Sequence, residues 1–284
     1  MGSYLSSGGV QIVKQPAKEF RISSQMEATQ HLTKDDTAQQ HIPDHFEKDY
    51  GDFIDLAVHE LDSPLRKLSV FVNRLTGKFD SVSPDPDLQL YVKRIDNCVN
   101  DMRTLIDDLS LLAKTRTSKL DFADCPFDDI VKEVLEELHS LIHAKKFTIN
   151  LSPLPVLSGD DEQYRRLFKN LLENSIRFAR DEVNHEITVR ASVLDEQESI
   201  RFRLAAGTRY HKVEIIDNGI GFKGEYAEKI FRPFVRLHGK SKFPGSGIGL
   251  TICRKIVENH QGIIYAEGRE NEGARFIVIL PEIH

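Results

Sequence analysis

The sequence predicts a chain of two parts, in which an α-helical hairpin precedes a mixed α/β domain. Apolar residues recur every three or four positions over about residues 44–79 and 87–116, which is typical of two long amphipathic helices. Between them, "SVSPDPD" contains two prolines that end the first helix, and it provides a cap for the second. After about residue 118, alternating strands mixed with amphipathic helices predict a sheet covered by helices.

Each hairpin helix carries a single apolar stripe, which is too little to enclose a core. The first stripe comprises Ile54, Ala57, Leu61, Leu65, Leu68, Val72 and Leu75. The second comprises Leu88, Val92, Ile95, Val99, Met102, Ile106, Leu109 and Leu112. Pairing with a second copy would cover both stripes, so we predict a dimeric four-helix bundle.

The predicted organisation has three segments: a flexible lead-in or linker over residues 1–43, the hairpin over 44–117 and the α/β domain over 118–284. Predicted helices of the last segment cover residues 125–146, 160–180 and 247–260. Predicted strands cover residues 147–151, 185–194, 199–206, 212–217, 262–268 and 274–281.

Composition narrows the classes of protein that fit. A net charge of -6 argues against nonspecific nucleic-acid binding. Because the sequence contains no run of about 18 apolar residues, it predicts no membrane span. Cys98, Cys125 and Cys253 lack metal-ligand spacing and are odd in number, which favours a reducing cytoplasm. No signal peptide is recognisable, although the chain could be the cytoplasmic portion of a larger sensor.

A histidine in the first helix stands out in "VHELDSPLRKL", residues 58–68. At about 100° per residue, His59 points away from the apolar stripe, where a solvated surface histidine would be the ordinary interpretation. Glu60 beside it could likewise be a surface charge. Pro64 weakens that interpretation, because a proline inside a helix costs about 3 kcal/mol and loosens the backbone one turn after the histidine.

A pair of asparagines forms the first of three stretches that suit a nucleotide. Asn170 and Asn174, four residues apart, share one helix face, where amide oxygens could complete the ligand shell of a Mg²⁺ ion that phosphates also bind. Ordinary surface asparagines remain an alternative for this pair.

The other two stretches are rich in glycine. In "VEIIDNGIGF" a strand leads into Asp217, Gly219 and Gly221, so a carboxylate at the strand end could accept a hydrogen bond from the adenine amine. A plain turn would also explain this Asp-Asn-Gly stretch.

In "GSGIGLTICRKIV", the glycines Gly245, Gly247 and Gly249 open a helix, whose free N–H groups suit phosphates. Neither the dinucleotide G-x-G-x-x-G spacing nor a P-loop is present.

Taken in order, five motifs resemble the sensor histidine kinases of two-component systems. "HELDSPL" resembles their H-box, "NLLENSIRF" the N-box, "DNGIGF" the first glycine box, "IFRPFVRLHG" the F-box and "GSGIGL" the second glycine box. The resemblance covers about residues 44–284 and is nearest to phytochrome-type kinases. It implies a dimerisation and phosphoacceptor hairpin followed by the ATP-binding α/β sandwich that is also found in gyrase and Hsp90.

The resemblance also implies catalytic roles for several residues. His59 would attack the γ-phosphate of ATP, and Glu60 would orient or deprotonate the imidazole. Asn174, with Asn170 nearby, would hold Mg²⁺. The phosphoryl group would then pass to an aspartate of a response regulator.

Further roles follow for the nucleotide site. Arg177 stands where the family usually has a phosphate-contacting lysine, Phe178 matches an aromatic that packs on adenine, and Asp217 would select adenine. Residues 223–246 would form a mobile lid. Its anchors would be Phe231 and Phe234, with Arg236 reaching the phosphates.

Two positions depart from the family pattern. The usual Arg-Thr after "HEL" is Asp62-Ser63 here, so Ser63 stands at the position that helps orient water for dephosphorylation of the regulator, which puts phosphatase activity in doubt. Two alternatives to an active kinase stay open: a dimeric phosphotransfer scaffold with a weak nucleotide domain, and a sandwich-fold ATPase. The input signal, an upstream sensor domain and the choice between cis and trans phosphorylation are not readable from the sequence.

Overall fold

The computed structural model describes residues 12–13, 65–66, 68–73, 86–117, 120–181, 183–237, 243 and 245–282. Residues 65–66 and 68–73 are helical. The longer helices are α1 (Pro86–Thr117), α2 (Phe127–Glu137), α3 (His139–Ala144), α4 (Asp161–Arg177), α5 (Glu196–Arg201) and α6 (Gly249–Asn259). Short 3-10 turns cover Gly224–Tyr226 and Lys229–Phe231.

The α/β domain contains a mixed sheet of six strands. They are β1 (Ile12–Val13), β3 (Thr148–Leu151), β5 (Glu186–Val193), β6 (Tyr210–Asp217), β7 (Ile263–Arg269) and β8 (Gly273–Pro281). Their order is β1-β3-β5-β6-β8-β7, with parallel pairing from β1 to β5 and antiparallel pairing elsewhere. A separate ribbon pairs β2 (Ala123–Pro126) with β4 (Val156–Gly159).

One face of this sheet and the helices α2, α4 and α6 enclose the main core. Alternation along β6 turns Val213 and Ile215 toward the helices, and their partners on β8 are Val278 and Phe276. The same alternation places Asp217, the last residue of β6, on the helix-facing side. The strand therefore ends with a carboxylate directed at α4.

The second hairpin helix, α1, packs against the α/β domain. Leu112 belongs to the main core, and Leu105 and Leu109 pack against it from the same helix. Asn259 at the end of α6 donates a side-chain hydrogen bond of 2.7 Å to the carbonyl of Thr115. The predicted helix over residues 44–79 lies largely outside the described residues, but Leu65 within it packs on Val99 and Ile106 of α1.

The predicted helix over residues 125–146 is wrong in detail. The chain pairs as strand β2 up to Pro126, and α2 ends at Glu137 because Leu138 leaves helical geometry at φ -89 and ψ 1. A new short helix, α3, then begins at His139. β2 and β4 were not predicted, since neither has a long alternating pattern.

The predicted strand over residues 199–206 is also wrong. Asp195 and Glu198 form a capping box, in which each side chain accepts from the other's backbone N–H, and helix α5 follows. The apolar alternation that suggested a strand instead places Phe202 and Leu204 against a small cluster on the other face of the sheet. Strand β1 is a further difference, because residues 1–43 were predicted to hold no regular element.

The remaining predicted helices and strands of the α/β domain are confirmed within one or two residues, apart from a three-residue shorter end of α4. A helical segment followed by an α/β sandwich is thus the observed architecture, as predicted. Within the described part of the chain, no helix combines the length and the apolar character that crossing a bilayer requires.

Candidate nucleotide site

A cavity of about 240 Å³ opens between α4, the end of β6 and the segment 245–249, called here the glycine loop. Its volume suits a small organic ligand, and carboxylate, amide and guanidinium groups are among the groups that line it. Its walls include Thr104, Asp108, Asn170, Glu173, Asn174, Arg177, Phe178, Asp217, Gly221, Phe222, Arg236, Phe243, Gly245, Ser246, Gly247, Gly249, Ala274 and Phe276.

Asp217 lines the cavity and is only 8% exposed. One carboxylate oxygen accepts from the backbone N–H of Gly219 at 2.9 Å and of Ala274 at 3.2 Å. The other accepts from the hydroxyl of Ser175 at 3.1 Å. Burial raises the pKa of Asp217, and these three hydrogen bonds oppose that effect by favouring the charged form. The carboxylate is therefore fixed in place as a hydrogen-bond acceptor.

The two glycines after Asp217 are required by close backbone contacts. A Cβ at Gly219 would lie 2.5 Å from the carbonyl oxygen of Phe178. Gly221 has a φ of +61, and a Cβ there would lie 1.9 Å from the carbonyl oxygen of Arg269. Between them, the N–H of Ile220 donates to Phe178 at 2.9 Å, so the loop is fixed against the end of α4.

The asparagine pair lines the cavity from one face of α4. The Asn170 amide donates to the carbonyl of Gly249 at 3.3 Å, which joins α4 to the start of α6. Among the described residues, Asn174 makes no side-chain hydrogen bond, so its amide oxygen is free to bind a ligand. No group of three or more His, Cys, Asp or Glu side chains that could hold a metal occurs in the described residues. A Mg²⁺ ion that is held mainly by phosphates and water fits this sparse donor set.

The glycine loop closes the cavity next to a cation. Gly245 has a φ of +150, and a Cβ there would lie 2.7 Å from a guanidinium nitrogen of Arg177, so the end of the Arg177 side chain lies close against the loop. Gly247 has a φ of +78 and packs on Arg236. The hydroxyl of Ser246 accepts from the N–H of Ile248 at 3.1 Å. Helix α6 starts next and its N-cap makes no side-chain hydrogen bond, so its first N–H groups are available to an anion.

Aromatic residues flank the cavity but differ in their roles. The rings of Phe178 and Phe243 lie 5.0 Å apart and both line the cavity. Of the two predicted lid anchors, Phe231 is only 2% exposed and lies under the guanidinium of Arg254, whereas Phe234 is 56% exposed. The backbone of Phe234, rather than its ring, bonds to the loop, through a 3.0 Å hydrogen bond to Gly247.

Most predicted nucleotide-site residues thus border one cavity: Asn170, Asn174, Arg177, Phe178, Asp217, Gly221, Arg236, Gly245, Gly247 and Gly249. Gly219 supports it through Asp217. The predicted catalytic residues His59, Glu60 and Ser63 lie outside the described residues.

Sequence reasoning missed several residues of the cavity. Ser175 follows Asn174 directly and could have been noticed as a partner for a buried carboxylate. Phe243 and Ser246 lie in or beside motifs already quoted. Thr104 and Asp108 gave no signal, because only the packing of α1 on the α/β domain brings them to the cavity.

Comparisons with known proteins match both parts of the chain. Residues 50–118 match the His Kinase A (phospho-acceptor) domain, and residues 159–284 match the histidine kinase-, DNA gyrase B- and HSP90-like ATPase. The chain is 31% identical over 235 residues to the phytochrome-like protein Cph1 of Synechocystis, an alignment that covers 82% of this chain and 29% of that protein. The chain spans less than a third of the length of its phytochrome-like relatives.

Two solved structures share the fold at low identity. Full-length ShkA in complex with AMPPNP gives a TM-score of 0.59 at 21% identity, covering 81% of this chain and 46% of that one. Histidine kinase ThkA in complex with the response regulator protein TrrA gives 0.55 at 19% identity, covering 99% and 78%. At these identities the similarity establishes the fold alone.

Proposed function

Because the chain belongs to the sensor histidine kinase family, we propose that it binds ATP with Mg²⁺ and phosphorylates its own His59. The observation that carries this proposal is that the buried acceptor Asp217 lines the same cavity as Arg177 and the glycine loop. An acceptor and an anion site within one cavity fit the two ends of an adenine nucleotide.

The described residues would bind ATP in the following way. The carboxylate of Asp217 would accept from the exocyclic amine of adenine, and Phe178 would pack on the base. The phosphates would receive hydrogen bonds from the N–H groups of the glycine loop and from Arg177. Asn174, with Asn170 beside it, would hold Mg²⁺, which would neutralise charge on the phosphates when bound. Arg236 lines the same cavity and would contribute a further positive charge.

The chemical step would take place between this cavity and the hairpin. A neutral ring nitrogen of His59 forms a bond to the γ-phosphorus, the bond from that phosphorus to the β–γ bridging oxygen breaks, and ADP leaves. Glu60 accepts the ring proton or orients the imidazole that loses it. Positioning and charge neutralisation supply most of the rate enhancement, as is general for phosphoryl transfer.

We further propose two partners and the domain limits. The hairpin, residues 44–117, would form a homodimer, which exposed apolar residues of α1 such as Ile95 support. The phosphoryl group would pass from His59 to an aspartate of a response regulator, and an upstream sensor domain would supply the signal. The catalytic domain would comprise residues 118–284, following a linker over 1–43. Phosphatase activity that depends on Ser63 stays an open prediction, and three free cysteines favour a cytoplasmic location.

The direct test is incubation with γ-labelled ATP and Mg²⁺, with a His59→Ala variant in parallel. We expect acid-labile, alkali-stable label on the wild-type protein and none on the variant. If neither protein is labelled although both bind ATP, the autokinase proposal fails in favour of a scaffold. Equal release of labelled phosphate by both proteins, without labelled protein, would instead indicate a sandwich-fold ATPase.

A further inference from the structure

Helix α1 of the hairpin reaches the nucleotide cavity beside the glycine loop. Thr104 and Asp108 lie one turn apart on α1 and line the same cavity as Asn174 and Arg177. Ser246, which lies between two glycines of the loop, lines the cavity as well. The hairpin therefore places a carboxylate in the cavity that would bind the phosphates.

Contacts along α1 hold Asp108 in this position. Leu112 belongs to the main core of the α/β domain, and Leu109 packs against that core. One turn further on, the carbonyl of Thr115 accepts from Asn259 at 2.7 Å. Helix α6 begins three residues after Ser246 and ends at Asn259. Its C-terminal end is consequently tied to α1 through Asn259–Thr115, and the loop before its N-terminal end lines the same cavity as Asp108.

The groups that surround Asp108 are those that phosphates would also seek. Arg166 and Arg177 attract the carboxylate electrostatically, whereas the neighbouring Asp107 repels it. A bound triphosphate would use Arg177, the Ser246 hydroxyl and the loop N–H groups, and it would meet the negative charge of Asp108 at short range. In a partly buried site such repulsion is weakly screened.

We propose that Asp108 is a specificity-determining residue of the nucleotide site, which the hairpin contributes to the α/β domain. It weakens the binding of a nucleotide in proportion to the charge of its phosphate chain, because its carboxylate lines the same cavity as Arg177 and the glycine loop. Binding of ATP therefore favours separation of α1 from the glycine loop, and binding of ADP favours it less. By linkage, separation of α1 from the loop raises ATP affinity by the same factor.

This inference rests on the proposed nucleotide function, and its test separates the two. Affinities of the full chain for ATP, ADP and adenosine are measured by calorimetric titration with Mg²⁺ for the wild type, Asp108→Asn and Asp107→Asn. The asparagine at 108 is close in size and shape to the aspartate and removes its negative charge. Asp107 is exposed and is not among the residues that line the cavity, so Asp107→Asn makes the same change in net charge as a matched control.

We expect Asp108→Asn to bind ATP about three- to tenfold more tightly, ADP less markedly so, and adenosine unchanged. Asp107→Asn should match the wild type for all three ligands. Equal affinities of wild type and Asp108→Asn for ATP would overturn the inference alone. Weaker ATP binding by Asp108→Asn would also overturn it, because Asp108 would then assist phosphate or metal binding. If no variant binds ATP, the proposed function fails together with the inference.

Discussion

Asp217 is a buried carboxylate whose partners are all neutral among the described residues. Two backbone N–H groups and the Ser175 hydroxyl stabilise its charge without an ion pair. A salt bridge would direct the carboxylate toward a cation and satisfy its remaining lone pairs. Neutral donors instead leave the charge available to a ligand amine, which is what selection of adenine requires.

We predict that Asp217→Asn lowers ATP affinity by tenfold or more, since hydrogen bonds to charged groups contribute about 1.5–3 kcal/mol. The preference for ATP over GTP should shrink as well, because guanine has a carbonyl where adenine has its amine. Fluorescence titration with both nucleotides measures this, and a thermal melt checks that the variant is folded. A folded variant that retains the wild-type preference would contradict adenine selection by Asp217.

At the scale of residues, the sequence predicted the groups that lie within local motifs and missed those that meet through packing. Asp217 and its glycines follow one another along the chain, and Asn170 and Asn174 share a helix face. Asp108 is separated from Ser246 by more than a hundred residues, and nothing near it in the sequence indicates that the two line one cavity.

Helices α4 and α6 are joined by a buried histidine at the end of α6. His260 is 1% exposed, its Nδ1 lies 2.8 Å from the carbonyl of Ile256, and its Nε2 accepts from the N–H of Asp160 at 3.0 Å. The ring also packs on Tyr164 and Phe122 at centroid distances of 4.2 and 5.4 Å. Only the neutral ring can donate at Nδ1 and accept at Nε2 together.

Burial lowers the pKa of His260, and the Ile256 hydrogen bond and the Asp160 charge oppose the shift. Between the folded pKa and the ordinary value of about 6.5, the unfolded chain binds more protons than the folded one. The contribution of His260 to the unfolding free energy is therefore fully present above about pH 6.5 and is lost as the pH falls through that window.

His260→Gln, which does not titrate, should remove this part of the pH dependence. Denaturant unfolding of both proteins between about pH 5 and pH 7.5 tests the prediction. The difference in unfolding free energy between wild type and variant should narrow toward low pH. A difference that stays constant with pH would show that His260 does not titrate differently on folding. Taking the difference cancels the contributions of the buried carboxyls, whose pKa values are raised.

At the scale of elements, long periodic segments were predictable and short ones were not. β6, β8 and α4 have eight or more residues, so their periods are clear. Helix α5 has only six residues. A capping box at Asp195 precedes it, but the apolar alternation that follows suggested a strand, whereas those apolar residues pack on the sheet. β2 and β4 are defined by their pairing with each other, which a local pattern does not contain.

For the whole molecule, the order of five motifs predicted the fold class and the similarity to phytochrome-type kinases, and the comparisons confirm both. The docking of α1 on the α/β domain was not predictable. Leu109 and Leu112 appear in the sequence as ordinary members of a hairpin stripe, yet Leu112 belongs to the core of the α/β domain and Leu109 packs against it. A helix that packs on both its hairpin partner and the α/β domain needs a wide apolar surface. The apolar pattern of its sequence does not indicate which residues face the hairpin and which face the α/β domain.

The apolar surface of α1 also divides lengthwise into a covered and an uncovered half. Viewed down the helix at about 100° per residue, the buried Val92, Val99 and Ile106 lie on one side of Ile95. The exposed members Tyr91, Cys98 and Met102 lie on the other side of Ile95, which is itself 46% exposed. Leu65 packs on Val99 and Ile106 of the buried half within the chain. A second copy is the proposed cover of the exposed half, which an isologous contact would bury on both chains.

We predict that Ile95→Glu shifts the protein from dimer to monomer, because it places a charge in the middle of this exposed surface. Asn97→Glu, on the opposite and exposed side of α1, is the matched control and should stay dimeric. Light scattering after size-exclusion chromatography measures both masses. A dimeric Ile95→Glu protein, or a monomeric wild type, would contradict a dimer through this surface.

A cysteine allows the same dimer to be located chemically. Cys98 lies within the exposed surface, whereas burial raises the pKa of Cys125 to about 11 and that of Cys253 to about 12, so both are poor nucleophiles near neutral pH. In an isologous dimer Cys98 approaches the same surface of the second copy, and a short bis-maleimide should link two chains through it. The crosslink should disappear in Cys98→Ser and in Ile95→Glu but persist in Asn97→Glu. A crosslink that survives Ile95→Glu would mean that the two chains meet without this face of α1.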